Sequence, residues 1–419
     1  MLNFRYLYCW IFGAVTVEFS GFILYNFSSM KFVERAISAK LKSMAGKFPV
    51  VFLTGPRQSG KSTLLKQLFR ADYEYVSLEE TDTRDFALQD PRGFLNAFRG
   101  KVIIDEAQRA PDLFSYIQTK VDSLHKPGMY ILSGSQNFLI MRSISQSLAG
   151  RVGILSLLPF SLSERAKTGK LPKTANEWMF SGAYPRLVSS RISPEDFFPG
   201  YIATYVERDI RAETKIHELD KFRRFLGIVA ASSGSPVNLT KLGVDASIDA
   251  RTVNSWLSIL EESYILFRMP PYYNNMAKRY TKTPKLYFYD TGLLCALLGF
   301  RNARELTMHE MRGHIFETAV ISEVLKKNFN AGRRPKLFFW RDSDNKEKEI
   351  DLLEEILPGL ELTEIKSSQT ANREYTKNLL SFNPPSGVKI KSRQVIYDGS
   401  DKPVFSGVRY VNWRSLGEV

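Results

Sequence analysis

Residues 55–62 of this 419-residue chain read Gly55-Pro56-Arg57-Gln58-Ser59-Gly60-Lys61-Ser62, between the apolar run Pro49-Val-Val-Phe-Leu53 and Thr63-Leu-Leu-Lys-Gln-Leu-Phe69. A buried strand that ends in a glycine-rich turn and opens a helix aims backbone N–H groups at one spot, at the positive end of that helix. The chemistry implied is capture of a polyphosphate by residues Gly55 to Thr63. Gly60 lets the backbone approach, Lys61 reaches the β- and γ-phosphates, and the Ser62 hydroxyl can ligate the Mg²⁺ that accompanies ATP. Lys101-Val-Ile-Ile-Asp105-Glu106 is a second short apolar strand, ending in two carboxylates. It is expected beside the first, with Asp105 next to the Mg²⁺ shell and Glu106 placed to polarise an attacking water. The pair favours hydrolysis over nucleotide binding alone.

A second constellation lies near the C-terminus. Glu349-Ile-Asp351-Leu-Leu353 and Leu360-Glu-Leu-Thr-Glu364-Ile-Lys366 read as neighbouring strands, and residues two apart on a strand share a face, so Glu364 and Lys366 point together. Asp351 and Glu364 can then bind Mg²⁺, Glu317 can add a carboxylate from the helix that opens at Gly313, and Lys366 can steady the water that attacks a phosphodiester. The same Glu-x-Lys on an exposed strand is also an ordinary ion pair.

The elements that must position these residues alternate. Tyr75–Leu78 is a strand after the first helix, Thr83–Phe98 a helix broken at Pro91, Asp112–Leu124 a helix, Met129–Leu132 a strand, Phe138–Leu148 a helix and Val152–Leu157 a strand. That order implies an α/β fold, a parallel sheet layered between helices. Ser135, after the fourth strand, is a candidate sensor of the γ-phosphate or a serine satisfying its own turn. Arg151, ahead of Arg142, is the candidate for an arginine supplied to a neighbouring subunit of a homo-oligomer, or is a solvated surface residue. Further on, Phe222–Ala231, Leu239–Val244 and Ala250–Glu262 are helical patterns, the last with an acidic N-cap at Asp249. Strands Tyr264–Met269 and Lys285–Tyr289 flank a basic loop, 274–282. Three helices and a two-stranded basic wing make a winged helix-turn-helix, whose third helix, with Arg251, Asn254 and Ser255 facing outward, can enter a major groove.

These words together resemble the prokaryotic AAA family of ATPases that carry a DUF4143 domain at the C-terminus. The resemblance rests on Gly55–Ser62, Ile103-Ile-Asp-Glu-Ala-Gln108, Leu132-Ser-Gly-Ser135, Ser147-Leu-Ala-Gly-Arg151, Leu158-Pro-Phe-Ser161, Gly182-Ala-Tyr-Pro185 and Tyr205-Val-Glu-Arg-Asp-Ile-Arg211. It implies an AAA+-like P-loop domain over 30–165, in the class with an additional strand and a catalytic glutamate. A helical connector over 166–218 and the winged helix over 219–290 follow. Over 291–419 the chain looks like a PD-(D/E)xK nuclease core, with Glu-Ile-Asp351 in place of Pro-Asp.

The chain holds 58 basic and 44 acidic residues, a net +14 and a pI near 9.5, an excess that favours a polyanionic partner, DNA above all. Two cysteines, Cys9 and Cys295, exclude a disulfide framework and point to the cytoplasm. Residues 7–27 are almost wholly apolar and aromatic, broken by Glu18, and just long enough to span a bilayer. A central Glu is costly there, and an over-extended translation start is preferred to a membrane anchor. The expectation is an ATPase coupled to DNA through the winged helix and the nuclease-like domain; the alternative is a non-cleaving switch acting on protein partners.

Overall fold

The computed structural model describes residues 32–134, 147–209, 218–342, 348–400 and 402–418, the side chains of 208, 209, 276 and 280 apart. The apolar run at 7–27, Ser135 and Arg142 lie outside the described residues.

Strands β1 (Val50–Thr54), β2 (Tyr73–Ser77), β3 (Lys101–Asp105), β4 (Tyr130–Gly134) and β5 (Val152–Ser156) form one parallel sheet in the order β2-β3-β4-β1-β5. All five residues of β1 and of β4 are buried, as continuous apolar runs covered on both faces must be. One expectation is corrected here. β3 does not lie beside β1; β4 runs between them, pairing with both. Asp105 is therefore brought to the glycine-rich turn across an intervening strand. Helices α1 (Ser38–Ala45), α2 (Lys61–Leu68) and α3 (Leu113–Leu124) flank the sheet, with α1 and α2 packed on one side and α3 on the other.

The short helix Leu162–Ala166 opens on a capping box in which Ser161 and Glu164 satisfy each other's backbone N–H. Beyond it, α4 (Leu219–Ala231), α5 (Leu239–Ala246) and α6 (Ala250–Glu262) lead into the antiparallel pair β6 (Leu266–Met269) and β7 (Lys285–Phe288). Asp249 caps α6 by accepting N–H bonds from Arg251 and Thr252 at 2.9 and 3.0 Å. The basic segment between β6 and β7, expected as a loop, forms a short helix, Met276–Thr281, because Asn275 caps it from the backbone N–H of Ala277.

A 19-residue helix, α7 (Arg312–Asn330), packs against a second sheet. β8 (Leu337–Arg341), β9 (Glu349–Ile356), β10 (Gly359–Lys366), β11 (Lys389–Tyr397), β12 (Val404–Phe405) and β13 (Val408–Asn412) take the order β12-β13-β11-β10-β9-β8. The largest apolar core draws on both halves of this region: Trp178 stacks on Trp413 at 4.6 Å, and the same cluster takes in Phe222, Leu257, Phe316 and Ile365.

Candidate functional site

The turn after β1 is built for backbone approach. Gly55 has φ +146°, and a Cβ there would lie 2.1 Å from the carbonyl oxygen of Leu157, so no other residue fits. Gly60, at φ +92°, caps α2. Lys61 follows at the first helical position and is almost fully buried; its ammonium donates to the carbonyls of Gly55 and Pro56, each at 2.9 Å. Burial without a directly bonded carboxylate pulls it down to about 8, against the weaker pull of Glu106 and Asp105. The buried Ser59 hydroxyl has no hydrogen-bond partner. A lysine held on carbonyls at a helix N-terminus, with an idle hydroxyl beside it, suits a polyphosphate.

Asp105 ends β3 and gathers three hydroxyls. Tyr75 donates to Oδ2 at 2.5 Å, Ser133 donates to Oδ1, and Ser62 also hydrogen-bonds it. Burial pushes the carboxyl up, but these bonds and the Lys61 charge outweigh it and hold Asp105 below its ordinary range. Ser62 and Asp105 thus meet where a Mg²⁺ bound to a nucleotide would need a hydroxyl and a carboxylate, and the donor set fits that ion. Glu106 has φ +54°, which turns it out of the strand; the Gln108 side-chain amide donates to its Oε2 at 2.5 Å. Tyr75, Ser133 and Gln108 were not among the residues expected from the sequence. Thr63 is exposed, on the first turn of α2.

A buried arginine supports the turn from behind. Arg35 donates to the Ser59 carbonyl at 2.8 Å, to the Leu158 carbonyl at 2.6 Å and to Glu164 Oε1 at 2.9 Å. Glu164 is fully buried and also accepts from the backbone N–H of Ala36 and Ser161. The following region also rests on the turn: the Tyr201 hydroxyl donates to the Arg57 carbonyl at 3.5 Å, Arg57 lies 5.6 Å from the Tyr205 ring, and Pro185 is next to Gly60. Arg151 sits elsewhere. Its carbonyl accepts from Val50 N–H at the start of β1, and its guanidinium grips Asp122 of α3 at 2.5 and 2.8 Å. A five-residue strand separates it from Gly55, more than about 10 Å, so Arg151 is not brought to the nucleotide turn of its own chain.

The structure also brings Glu317, Asp351, Glu364 and Lys366 together, on α7, β9 and β10. Lys366 Nζ lies 2.6 Å from Glu364 Oε1 and 3.6 Å from Asp351 Oδ2, which accepts the Ile365 N–H at 2.7 Å. Lys285, expected only as the start of a strand, joins them. It projects from β7, 3.2 Å from Glu317 Oε1, and pairs with Glu349; Tyr287 donates to Glu317 at 2.5 Å. Burial raises Glu317 to about 7 and Glu364 to about 8, and the carboxylates around Lys285 and Lys366 raise both lysines above their ordinary range. Among the described residues no group of three His, Cys, Asp or Glu side chains is disposed to hold a metal ion. Glu364 Oε2 apart, the carboxylates here are turned to ammonium groups, a guanidinium, a tyrosine and a backbone N–H.

In the helix trio, Arg251, Asn254 and Ser255 are exposed on α6. The basic segment before β7 is less free than its charge suggests: Arg279 is buried against Tyr272 and Phe338, 4.4 and 4.7 Å from their rings, and pairs with Glu355 at 3.7 Å. Tyr272 N–H bonds the Phe339 carbonyl at 2.6 Å, tying this segment to the edge of the second sheet. Among the described residues no helix is long and apolar enough to cross a membrane.

The strand order, the phosphate turn and the Asp-Glu pair define a P-loop ATPase domain. Residues 47–166 match the AAA domain family, 172–304 a domain of unknown function, DUF8612, and 312–416 a second, DUF4143. The chain thus carries an AAA-type P-loop ATPase domain and a C-terminal DUF4143 domain. It is 29% identical over 346 residues to the uncharacterized protein Rv2008c of Mycobacterium tuberculosis (strain ATCC 25618 / H37Rv), covering 82% of this chain and 76% of that one. The uncharacterized protein Mb2031c of Mycobacterium bovis matches with the same figures. Among solved structures it is similar to the Walker-type ATPase PABY2304 of Pyrococcus abyssi, with 16% identity, 62% of this chain and 94% of that one covered, and a TM-score of 0.40.

Proposed function

We propose that this chain is a cytoplasmic Mg²⁺-dependent ATPase whose nucleotide state is coupled to DNA through a winged helix spanning residues 219–290. The observation that carries the reading is Lys61, buried on bare carbonyls beside the Asp105-Glu106 pair. Residues 55–63 cradle the triphosphate and Lys61 meets its terminal phosphates. Ser62 and Asp105 hold Mg²⁺, and Glu106, held by Gln108, takes a proton from the attacking water. Ser133 positions Asp105 from β4, and Ser135 stands two residues on as the sensor. Arg151, released from Asp122, completes the site of a neighbouring copy. The exposed Arg251, Asn254 and Ser255 on α6 and the net charge of +14 support DNA as the partner. The tyrosine contacts on the Arg57 carbonyl and side chain give region 172–304 a direct hold on the nucleotide turn.

A second reading, a non-cleaving switch that acts through protein partners, is favoured by the lysine-filled acid cluster of the nuclease-like domain. The test is the rate of phosphate release with and without duplex, single-stranded and branched DNA, in wild type, Lys61→Ala and Arg251→Ala. Turnover that rises severalfold with one DNA form, vanishes in Lys61→Ala and keeps its basal level but loses the stimulation in Arg251→Ala supports the DNA reading. A rate indifferent to every DNA form transfers it to protein partners.

A further inference from the structure

The acid cluster at the junction of α7, β9 and β10 contains more charge than a structural ion pair needs. Glu317, Glu349, Asp351 and Glu364 come from three elements, and Glu349 and Asp351 share one face of β9. Three cations answer them: Lys366 on Glu364 and Asp351, Arg341 on Glu349, and Lys285 on Glu317 and Glu349. His314 faces the same group, its Nδ1 4.0 Å from Glu317 Oε2. Two polar atoms are left over, and His314 Nδ1, buried with no hydrogen-bond partner, is one of them. Glu364 is 5% exposed, and its Oε2 is buried with no hydrogen-bond partner. An unpartnered oxygen on a carboxyl that burial raises to about 8 is a place for a proton or for a cation that would displace it.

Lys285 differs from the other two cations in origin. Arg341 and Lys366 belong to the sheet that carries the acids, whereas Lys285 enters from β7, whose backbone is fixed by pairing with Met269 and by a bridge to Pro236. Its side chain is 4% exposed and reaches the acids past the ring of Phe339, 5.5 Å away. A divalent cation gathering Asp351, Glu364 and Glu317 would have to sit beside that ammonium and compete with it for Glu317. The two cannot share the pocket without strong repulsion.

We propose that Lys285 is the built-in occupant of this pocket: its ammonium takes the place of a divalent cation on the Glu317 side and closes the site, which binds Mg²⁺ or Mn²⁺ only once that lysine is removed. The inference stands apart from the ATPase reading, since no residue of the nucleotide turn takes part in it.

The experiment is a titration of the full, nucleotide-free chain with Mn²⁺ alone, read by the electron paramagnetic resonance signal of free Mn²⁺. Wild type and Asp351→Asn are expected to give the same isotherm, because the pocket is shut in both. Lys285→Met is expected to gain one Mn²⁺ per chain, at least tenfold tighter than any wild-type site, and Lys285→Met/Asp351→Asn to lose it. ATP turnover at the wild-type rate shows that Lys285→Met is folded; if it does not fold, Lys285→Gln, which drops the charge but keeps a donor, is read the same way. Two results overturn the proposal: wild type retaining Mn²⁺ that Asp351→Asn releases, or a folded Lys285 variant that gains none. The first can be obtained without any variant of Lys285.

Discussion

Two buried lysine sites in this molecule have opposite electrostatic logic. At the nucleotide turn, Lys61 touches only the carbonyls of Gly55 and Pro56, and burial drags it down to about 8. In the C-terminal cluster, Lys285 is also withdrawn from water and Lys366 is half-buried, yet four carboxylates hold both above the ordinary lysine range. Opposite unit charges 4 Å apart attract by about 4 kcal/mol at an effective dielectric constant near 20, before desolvation is subtracted. The second site has spent that attraction internally. The first has kept it for a ligand, and the contrast tells which lysine is waiting and which is satisfied. It also shows that an acidic cluster and a lysine, found together, do not by themselves define an active site.

The largest effect expected is on chemistry at the waiting site. Glu106→Gln keeps the hydrogen bond to Gln108 within reach but removes the proposed proton acceptor. Phosphate release should fall by about 10²–10⁴-fold while ATP is still retained, as expected for loss of a general base. Single-turnover hydrolysis alongside filter binding of ATP separates the two, and an unimpaired rate would move the water-activating role away from Glu106.

The next effect is a crossed pair of stabilities. Lys366→Met strips Glu364 and Asp351 of their nearest ammonium group, and unfolding in urea should show a loss of about 1.5–3 kcal/mol, the range for a hydrogen bond to a charged group. Turnover of ATP should be unchanged. Lys61→Met removes a desolvated charge that has no bonded carboxylate, so the ligand-free chain should gain about 0.5–2 kcal/mol while turnover is lost. If both variants lose stability alike, the difference between the sites is not electrostatic.

What could be read from the sequence divides along the same line. The placement of Gly55–Ser62 and Asp105-Glu106 was legible because each is a contiguous word whose geometry is set by local backbone: a strand, a turn, a helix N-terminus. Asp249 was legible as a helix cap for that reason. Tyr75, Ser133, Arg35 and Lys285 were not, since each reaches its partner from a distant element and nothing local marks it. The placement of β4 between β1 and β3 is a property of the whole sheet, and it explains why Ser133 reaches Asp105 across one strand boundary. The basic run at 274–282 misled in the other direction. Charge alone suggested an exposed loop, but Asn275 carried a capping signal, and Arg279 is consumed by Glu355 and two rings.

The smallest effect expected is a pH dependence that only the waiting lysine can produce. With Lys61 at about 8 in the free chain, its charge is complete below that pH and drains away above it. Bound phosphates favour the ammonium form, so the affinity for Mg-ATP should hold steady from pH 6.5 to 7.5 and then weaken, by up to about tenfold per pH unit beyond 8. The sign for stability is the reverse. A lysine depressed in the fold below its unfolded value of about 10.4 destabilises the ligand-free chain below pH 8, and that penalty fades as pH rises from 8 toward 10.4. Fluorescent-nucleotide titrations and urea melts across pH 6.5–9.5 should therefore diverge, affinity falling while this contribution to stability rises. The cluster around Lys285 and Lys366 gives no such rise: both lysines stay charged throughout that window, while Glu317 and Glu364, raised to about 7 and about 8, shed their protons within it, so that cluster's contribution to stability falls as pH rises. An affinity flat to pH 9.5 would mean that Lys61 has found a counter-charge of its own, and the two sites would no longer differ in kind.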